Sequence, residues 1–206
     1  MDNAEIKIYN VRVYGMDEAL IGAGYPMKTE IEDWDNLPDI DDVERNKLTL
    51  RGIRLGNSPH AHGDDKFLRQ ITVGFDVVAP RYWWTEFDTY GFTVKNSQST
   101  MHRAKNMDFK DMANSHVDPL IMQRFNEIVE QYRENPTREN LVAVKSNLPE
   151  GVQLGARITT NYGQLKTMYY QRYNHRLPEW REFCHWIEGL PNAVNFGVCN
   201  GDGCYE

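Results

Sequence analysis

Between Phe67 and Val78 the chain reads F-L-R-Q-I-T-V-G-F-D-V-V, and Ile71, Val73, Phe75 and Val77 stand at two-residue spacing. A period of two puts all four side chains on one face of a strand, so the segment must pair in a sheet with that face buried. Ala79-Pro80 ends the strand, and Pro80 suits the first turn of a helix in which Tyr82, Trp83, Phe87 and Tyr90 recur at helical spacing as core. A strand that passes directly into an apolar helix commits the chain to sheet and helix together.

Composition narrows the setting. A length of 206 residues suits a single domain over 1–206, with 190–206 as a tail. Hydrophobic residues at 40% and aromatics at 12% supply the apolar surface that ordering requires. The net charge of −7 argues against nucleic acid as a partner, since that binding depends on Lys and Arg displacing counterions. No apolar run approaches the ~20 residues of a membrane span, and the acidic start Met1-Asp2-Asn3-Ala4-Glu5 is unlike a signal peptide. A cytoplasmic protein with no membrane partner is expected. Cys184, Cys199 and Cys204 are odd in number, which fits a reducing compartment, and the Cys199 to Cys204 stretch lacks a second Cys/His pair for zinc.

Upstream, Ile6 and Ile8, then Val11 and Val13, predict a strand whose phase changes near Asn10, followed by a short helix capped at or near Asp17. The acidic run Glu30 to Glu44 lacks calcium-loop spacing and reads as a solvated loop leading into a short helix. His60 and His62, with Asp64 and Asp65, read as an exposed polar loop, and no metal is expected. Downstream, Asp118-Pro119 opens a helix carrying Leu120, Ile121, Phe125, Ile128 and Tyr132 on one stripe. A second helix with Leu141, Val142 and Val144 completes a helical hairpin. Val152 to Arg172 predicts one longer helix, irregular at its start, with Leu165, Met168 and Tyr169 inward. Pro178 starts a last helix that buries Trp180, Phe183, Cys184 and Ile187.

Two features carry chemistry. Asn96-Ser97-Gln98-Ser99-Thr100-Met101-His102-Arg103 is dense in small donors and acceptors and ends in cationic side chains suited to phosphate. Lys145, Arg157, Lys166, Arg172, His175, Arg176 and Arg181 gather basic charge in the second half, which reads either as an anion pocket or as a solvated face. Arg172 follows an apolar stripe at helical spacing and is expected to lie partly buried.

The order of elements and several motifs resemble the flavin-dependent thymidylate synthases. That family's signature is R-H-R, four residues, then N-E-x-S-x-R; here Thr89-Tyr90-Gly91 and Asn96 to Met101 hold the same spacing, with Asn96 and Ser99 matching. Downstream the family has an Arg three residues before Leu-Pro and a T-x-N-x-R-x-L pattern closing on an Arg. This chain has Lys145 before Leu148-Pro149, then Thr159, Asn161, Leu165 and Arg172, with Gly163 at the intervening Arg position. The resemblance implies an α+β fold, thymidylate-synthase-complementing-like, with a small curved mixed or antiparallel sheet packed against a helical bundle. It implies a homotetramer that transfers a methyl group to a dUMP-like nucleotide with FAD as cofactor, and it leaves folate open.

On that resemblance the nucleotide-binding residues are Ser97, Gln98, Ser99, His102, Arg103, Lys145, Arg172 and Arg176, while Asn96 and Asn161 face the cofactor. Gln98 and Asn161 either read a base or ribose or satisfy local backbone groups. No catalytic residue is assigned. Thr89, Tyr90 and Gly91 stand where the family's flavin-binding triplet stands, so several charge-assisted hydrogen bonds to FAD are missing. Two main readings follow: a pyrimidine-nucleotide methyltransferase, or a non-catalytic protein that senses or sequesters a nucleotide in the same pocket. A scaffold with an interaction role only is the third.

Overall fold

The computed structural model describes residues 5–29, 40–58 and 63–200. Its four strands, β1 (Lys7–Tyr14), β2 (Thr72–Pro80), β3 (Val94–Ser97) and β4 (Gln153–Asn161), form an open antiparallel sheet in the order β1-β2-β4-β3. Val73, Phe75, Val77 and Ala79 of β2 are all buried, as the two-residue alternation requires. In β1 the phase change falls at Asn10, whose φ of 51° is left-handed; Asn tolerates that region better than most residues.

Among the described residues the α-helices are α1 (Met16–Gly22), α2 (Asp42–Gly56), α3 (Arg81–Phe87), α4 (Thr100–Arg103), α5 (Pro119–Glu134), α6 (Arg138–Asn147), α7 (Tyr162–Arg172) and α8 (Pro178–Glu188). Short 3-10 turns lie at Tyr25–Met27, Asp64–Arg69 and Ala104–Asn106.

The chain divides into two compact units. The first comprises Met1–Tyr9, Asp76–Gly91 and Lys95–Ile158. Here α5 and α6 pack as the expected hairpin, opened by Asp118 and Thr137, whose side chains accept from Leu120 and Asn140 N–H. Their core joins Phe109, Met122, Phe125, Val129, Val144 and Leu148, with the Phe109 and Phe125 rings edge to face. The buried stripe of α5 is displaced from the expected one: Leu120 and Ile121 are exposed, and Met122 and Val129 take the inward places beside Phe125 and Ile128. Val142 is likewise exposed on α6. In α3, Trp83 and Phe87 stack as core, and Trp84 donates its indole N–H to the Ala79 and Leu154 carbonyls.

The second unit comprises Asn10–Phe75, Phe92–Val94 and Thr159–Glu206. Phe75 meets Phe183 and Trp186 of α8, while Leu165, Met168 and Tyr169 line the inner face of α7. Three sequence expectations change here. Helix α1 is capped by Gly15, and Asp17 sits in the first turn, where it binds Arg45 at 3.1 Å. Helix α2 runs for 15 residues because its inward stripe is Leu48, Gly52 and Gly56; a Cβ at Gly56 would fall 2.3 Å from the Phe196 carbonyl oxygen. Glycines at a packing stripe carry no hydrophobic signal, which is why the helix looked short. The stretch after α8 is packed, with Leu190, Ala193, Phe196, Val198 and Cys199 buried.

The largest revision concerns 152–172, which is not one helix. Gln153–Asn161 is strand β4, with Ala156, Ile158 and Thr160 buried in alternation, and the helix begins only at Tyr162. The β-branched run Ile158-Thr159-Thr160 favours the pleated conformation and outweighs a helical spacing read across the junction. Arg157 therefore sits on a strand, 3.2 Å from Asp76.

Candidate functional site

In the first unit, β3 delivers the donor-rich run to a tight turn. Gln98 is tied to Gly155 of β4 twice: its backbone N–H donates to the Gly155 carbonyl at 2.9 Å, and its side-chain oxygen accepts from the Gly155 N–H at 2.7 Å. Its carbonyl oxygen therefore satisfies backbone, the local alternative raised by the sequence. Ser99 caps α4, its hydroxyl accepting from the His102 N–H at 3.2 Å. Asn96, Ser97, His102 and Arg103 are exposed around this turn.

Helix α6 brings Lys145 to the same place. Its ammonium donates to the hydroxyl of Thr100, which is buried. Partial burial, and then the nearby Arg81 guanidinium, hold the Lys145 pKa below its ordinary range. Arg81 itself donates to the Leu148 carbonyl at 2.9 Å and pairs with Glu150 at 3.3 Å. A turn of hydroxyls thus faces an ammonium whose neighbour is a second cation, and an arriving anion would stabilise both charges. Arg81, which sequence reasoning missed, is identifiable only from this neighbourhood.

In the second unit, Asn161 caps α7, accepting from the Gln164 N–H at 2.9 Å. Arg172 is partly buried as expected, its guanidinium 4.8 Å from the centre of the Trp180 ring and 3.1 Å from His175 Nε2. Arg176 is exposed, and its carbonyl, like that of His175, accepts from Arg181. Lys166 is not surface charge: it is buried against Asp65 at 3.1 Å and the Gly56 carbonyl at 2.8 Å.

The turn that corresponds in sequence to the flavin triplet fits a flavin pyrophosphate poorly. Thr89 donates its hydroxyl to the Glu86 carbonyl at 2.7 Å, Tyr90 is buried, and Gly91 offers no side chain. The nearby cation, Lys95, is held by Asp88 and lies over the Trp84 ring. Nothing at 89–91 supplies the charge that a pyrophosphate needs.

Among the described residues no group of three or more His, Cys, Asp or Glu could hold a metal ion. His60, His62 and Cys204 lie outside the described residues. Burial, then the charge of Glu188, pushes the Cys184 thiol up to about 12, which disfavours the thiolate. No helix of the described residues is long and apolar enough to cross a membrane. A cavity of about 650 Å³ along α5 contains none of the candidate nucleotide- or cofactor-binding residues.

The sheet order and helices define the fold of the flavin-dependent thymidylate synthases. Solved structures with this fold include the flavin-dependent thymidylate synthase of Helicobacter pylori complexed with FAD and dUMP. The TM-score is 0.68, with 13% identity over 93% of this chain and 97% of that one. A second is the UMP/dUMP methylase PolB of Streptomyces cacaoi bound with 5-Br dUMP, at TM-score 0.65 and 14% identity over 97% of both chains. At these identities the likeness is one of fold. No protein-family model and no curated protein matches the chain.

Proposed function

We propose that this protein binds a dUMP-like pyrimidine nucleotide, with its phosphate on Ser97, Ser99 and Lys145 and with His102 and Arg103 at the rim, as the substrate of a methyl transfer. The observation that carries the reading is Lys145, whose ammonium is fixed on Thr100 beside Arg81 with a depressed pKa. Such a group gains most when an anion arrives. The fold adds support, since the two neighbours are complexed with dUMP or 5-Br dUMP.

A second reading is favoured by Thr89-Tyr90-Gly91: a protein that retains the phosphate residues without the flavin's cations can sense or sequester a nucleotide without transforming it. One set of measurements separates the two. Saturating dUMP should raise the melting temperature, and Lys145→Ala should weaken dUMP binding about tenfold, the loss of one charge-assisted hydrogen bond. A flavin absorbance band in the purified protein, with release of tritium from C5-tritiated dUMP, supports methyl transfer. A colourless protein with the thermal shift alone supports the binding role. No shift with dUMP would sink the methyl-transfer reading, and no shift with any pyrimidine or purine nucleotide would sink both.

A further inference from the structure

Within the donor-rich run from Asn96 to Arg103, Thr100 alone is buried, 6% exposed at the first position of α4. Its hydroxyl has one partner, the Lys145 ammonium that α6 brings against α4. Lys145 in turn makes no ion pair with a described residue, and Glu150, the carboxylate that follows it on the chain, is engaged by Arg81. Burial and the Arg81 charge both disfavour the ammonium, so among the described residues the Thr100 hydroxyl is the contact that favours it.

The chemistry of threonine suits that task. Its β-branch stiffens χ1, and burial restricts the hydroxyl further, so the acceptor stays in one place. A hydroxyl accepts a proton of the ammonium without neutralising it, whereas a carboxylate there would cancel the charge and repel an arriving anion. Lysine is long and unbranched, and ordering it before the anion arrives removes an entropic cost from binding. A whole cation is thereby kept in place beside a turn on which Ser97, His102 and Arg103 are exposed.

We propose that Thr100 is the positioning residue of the anion site, holding the Lys145 ammonium charged and aimed at the phosphate without itself reading the ligand. The effect on nucleotide binding rests on the phosphate reading of Lys145; the effect on Lys145 itself does not. The charged groups around the pair are Arg81 with Glu150, and His102 and Arg103 on α4. Removing the acceptor disfavours the ammonium, so Lys145 would lose its proton at lower pH and phosphate affinity would fall earlier on the alkaline side.

Two measurements on the full chain test this. One is an alkaline NMR titration of the Lys145 side chain in protein carrying 13C-lysine, with the signal assigned by its loss in Lys145→Arg. The other is isothermal titration with dUMP across the same pH range. Thr100→Val should move the Lys145 titration to lower pH, weaken dUMP about fivefold at pH 7 and bring forward the alkaline loss of affinity. Thr100→Ser, which keeps the hydroxyl, should restore most of each effect. In a Lys145→Ala background Thr100→Val should change dUMP affinity less than about twofold, because no ammonium is left to place. A merely structural role for Thr100 would weaken binding equally in both backgrounds and leave the Lys145 titration where it was. Either result, or Thr100→Ser behaving like Thr100→Val, would overturn the assignment. Wild-type protein that binds no dUMP would sink the dUMP reading, and the NMR titration alone would then decide Thr100.

Discussion

Lys166 and Asp65 hold one another at 3.1 Å where almost no water reaches, their side chains 6% and 14% exposed. Lys166 also donates to the Gly56 carbonyl, so one ammonium joins α7, the Asp64–Arg69 turn and the end of α2. Removing one partner of such a pair leaves the other charge buried and unpaired. Asp65→Ala should therefore cost about 3–5 kcal/mol, whereas replacing both by apolar residues, as in Lys166→Met with Asp65→Leu, should cost much less. Urea unfolding of the single and double variants checks the difference.

Glu5 should shape the acid limb of stability. Burial alone would raise its pKa, but the Ser115 hydroxyl and N–H, the charge of His116 and the Gln153 amide together outweigh burial and bring it below the ordinary carboxylate value. Ser115 and Gln153 lie 2.6 to 2.9 Å from its oxygens. A carboxyl with a lowered folded-state pKa contributes stability above its unfolded value and loses it as pH falls through the folded one. Glu5→Gln should cost roughly 1 kcal/mol at pH 7, and wild type and variant should converge in acid below the ordinary carboxylate range. Equal denaturation curves at pH 7 would count against this account.

Two glycines should respond oppositely to the same change. Gly56→Ala drives a methyl into the Phe196 backbone, which cannot swing away, and should destabilise by about 1–3 kcal/mol. Gly91 has open space around its missing Cβ and no left-handed φ, so Gly91→Ala should be neutral or stabilising by up to about 1 kcal/mol. Thermal melts of the two variants decide it.

The parts of the fold that were legible in the sequence were those whose buried positions are large and regularly spaced. Val73, Phe75 and Val77 declared β2, and Trp180, Phe183, Cys184 and Ile187 declared the inner face of α8. Asp118 marked a true helix start because its side chain caps. Helix α2 hid because Gly52 and Gly56 do the packing, and β4 hid because its last residues, Asn161 above all, also cap the next helix. In the candidate site, Ser99 and Lys145 were visible as residue types at a spacing. Arg81 was not, since its relevance lies in which through-space neighbour it meets. For Gln98 the sequence left ligand reading and backbone satisfaction open, and its side-chain oxygen serves the Gly155 N–H.

The left-handed residue in β1 bears on solubility. β1 is an outer strand of the sheet, rich in Ile, Val and Tyr, with Tyr9 and Tyr14 exposed, and so has the makings of a template for aggregation. Asn10 interrupts it at its middle with a left-handed backbone, and Lys7 and Arg12 place charge on either side. An incoming strand would find no continuous ladder longer than a few residues, so the break that complicated the strand's sequence pattern also guards the open edge of the sheet.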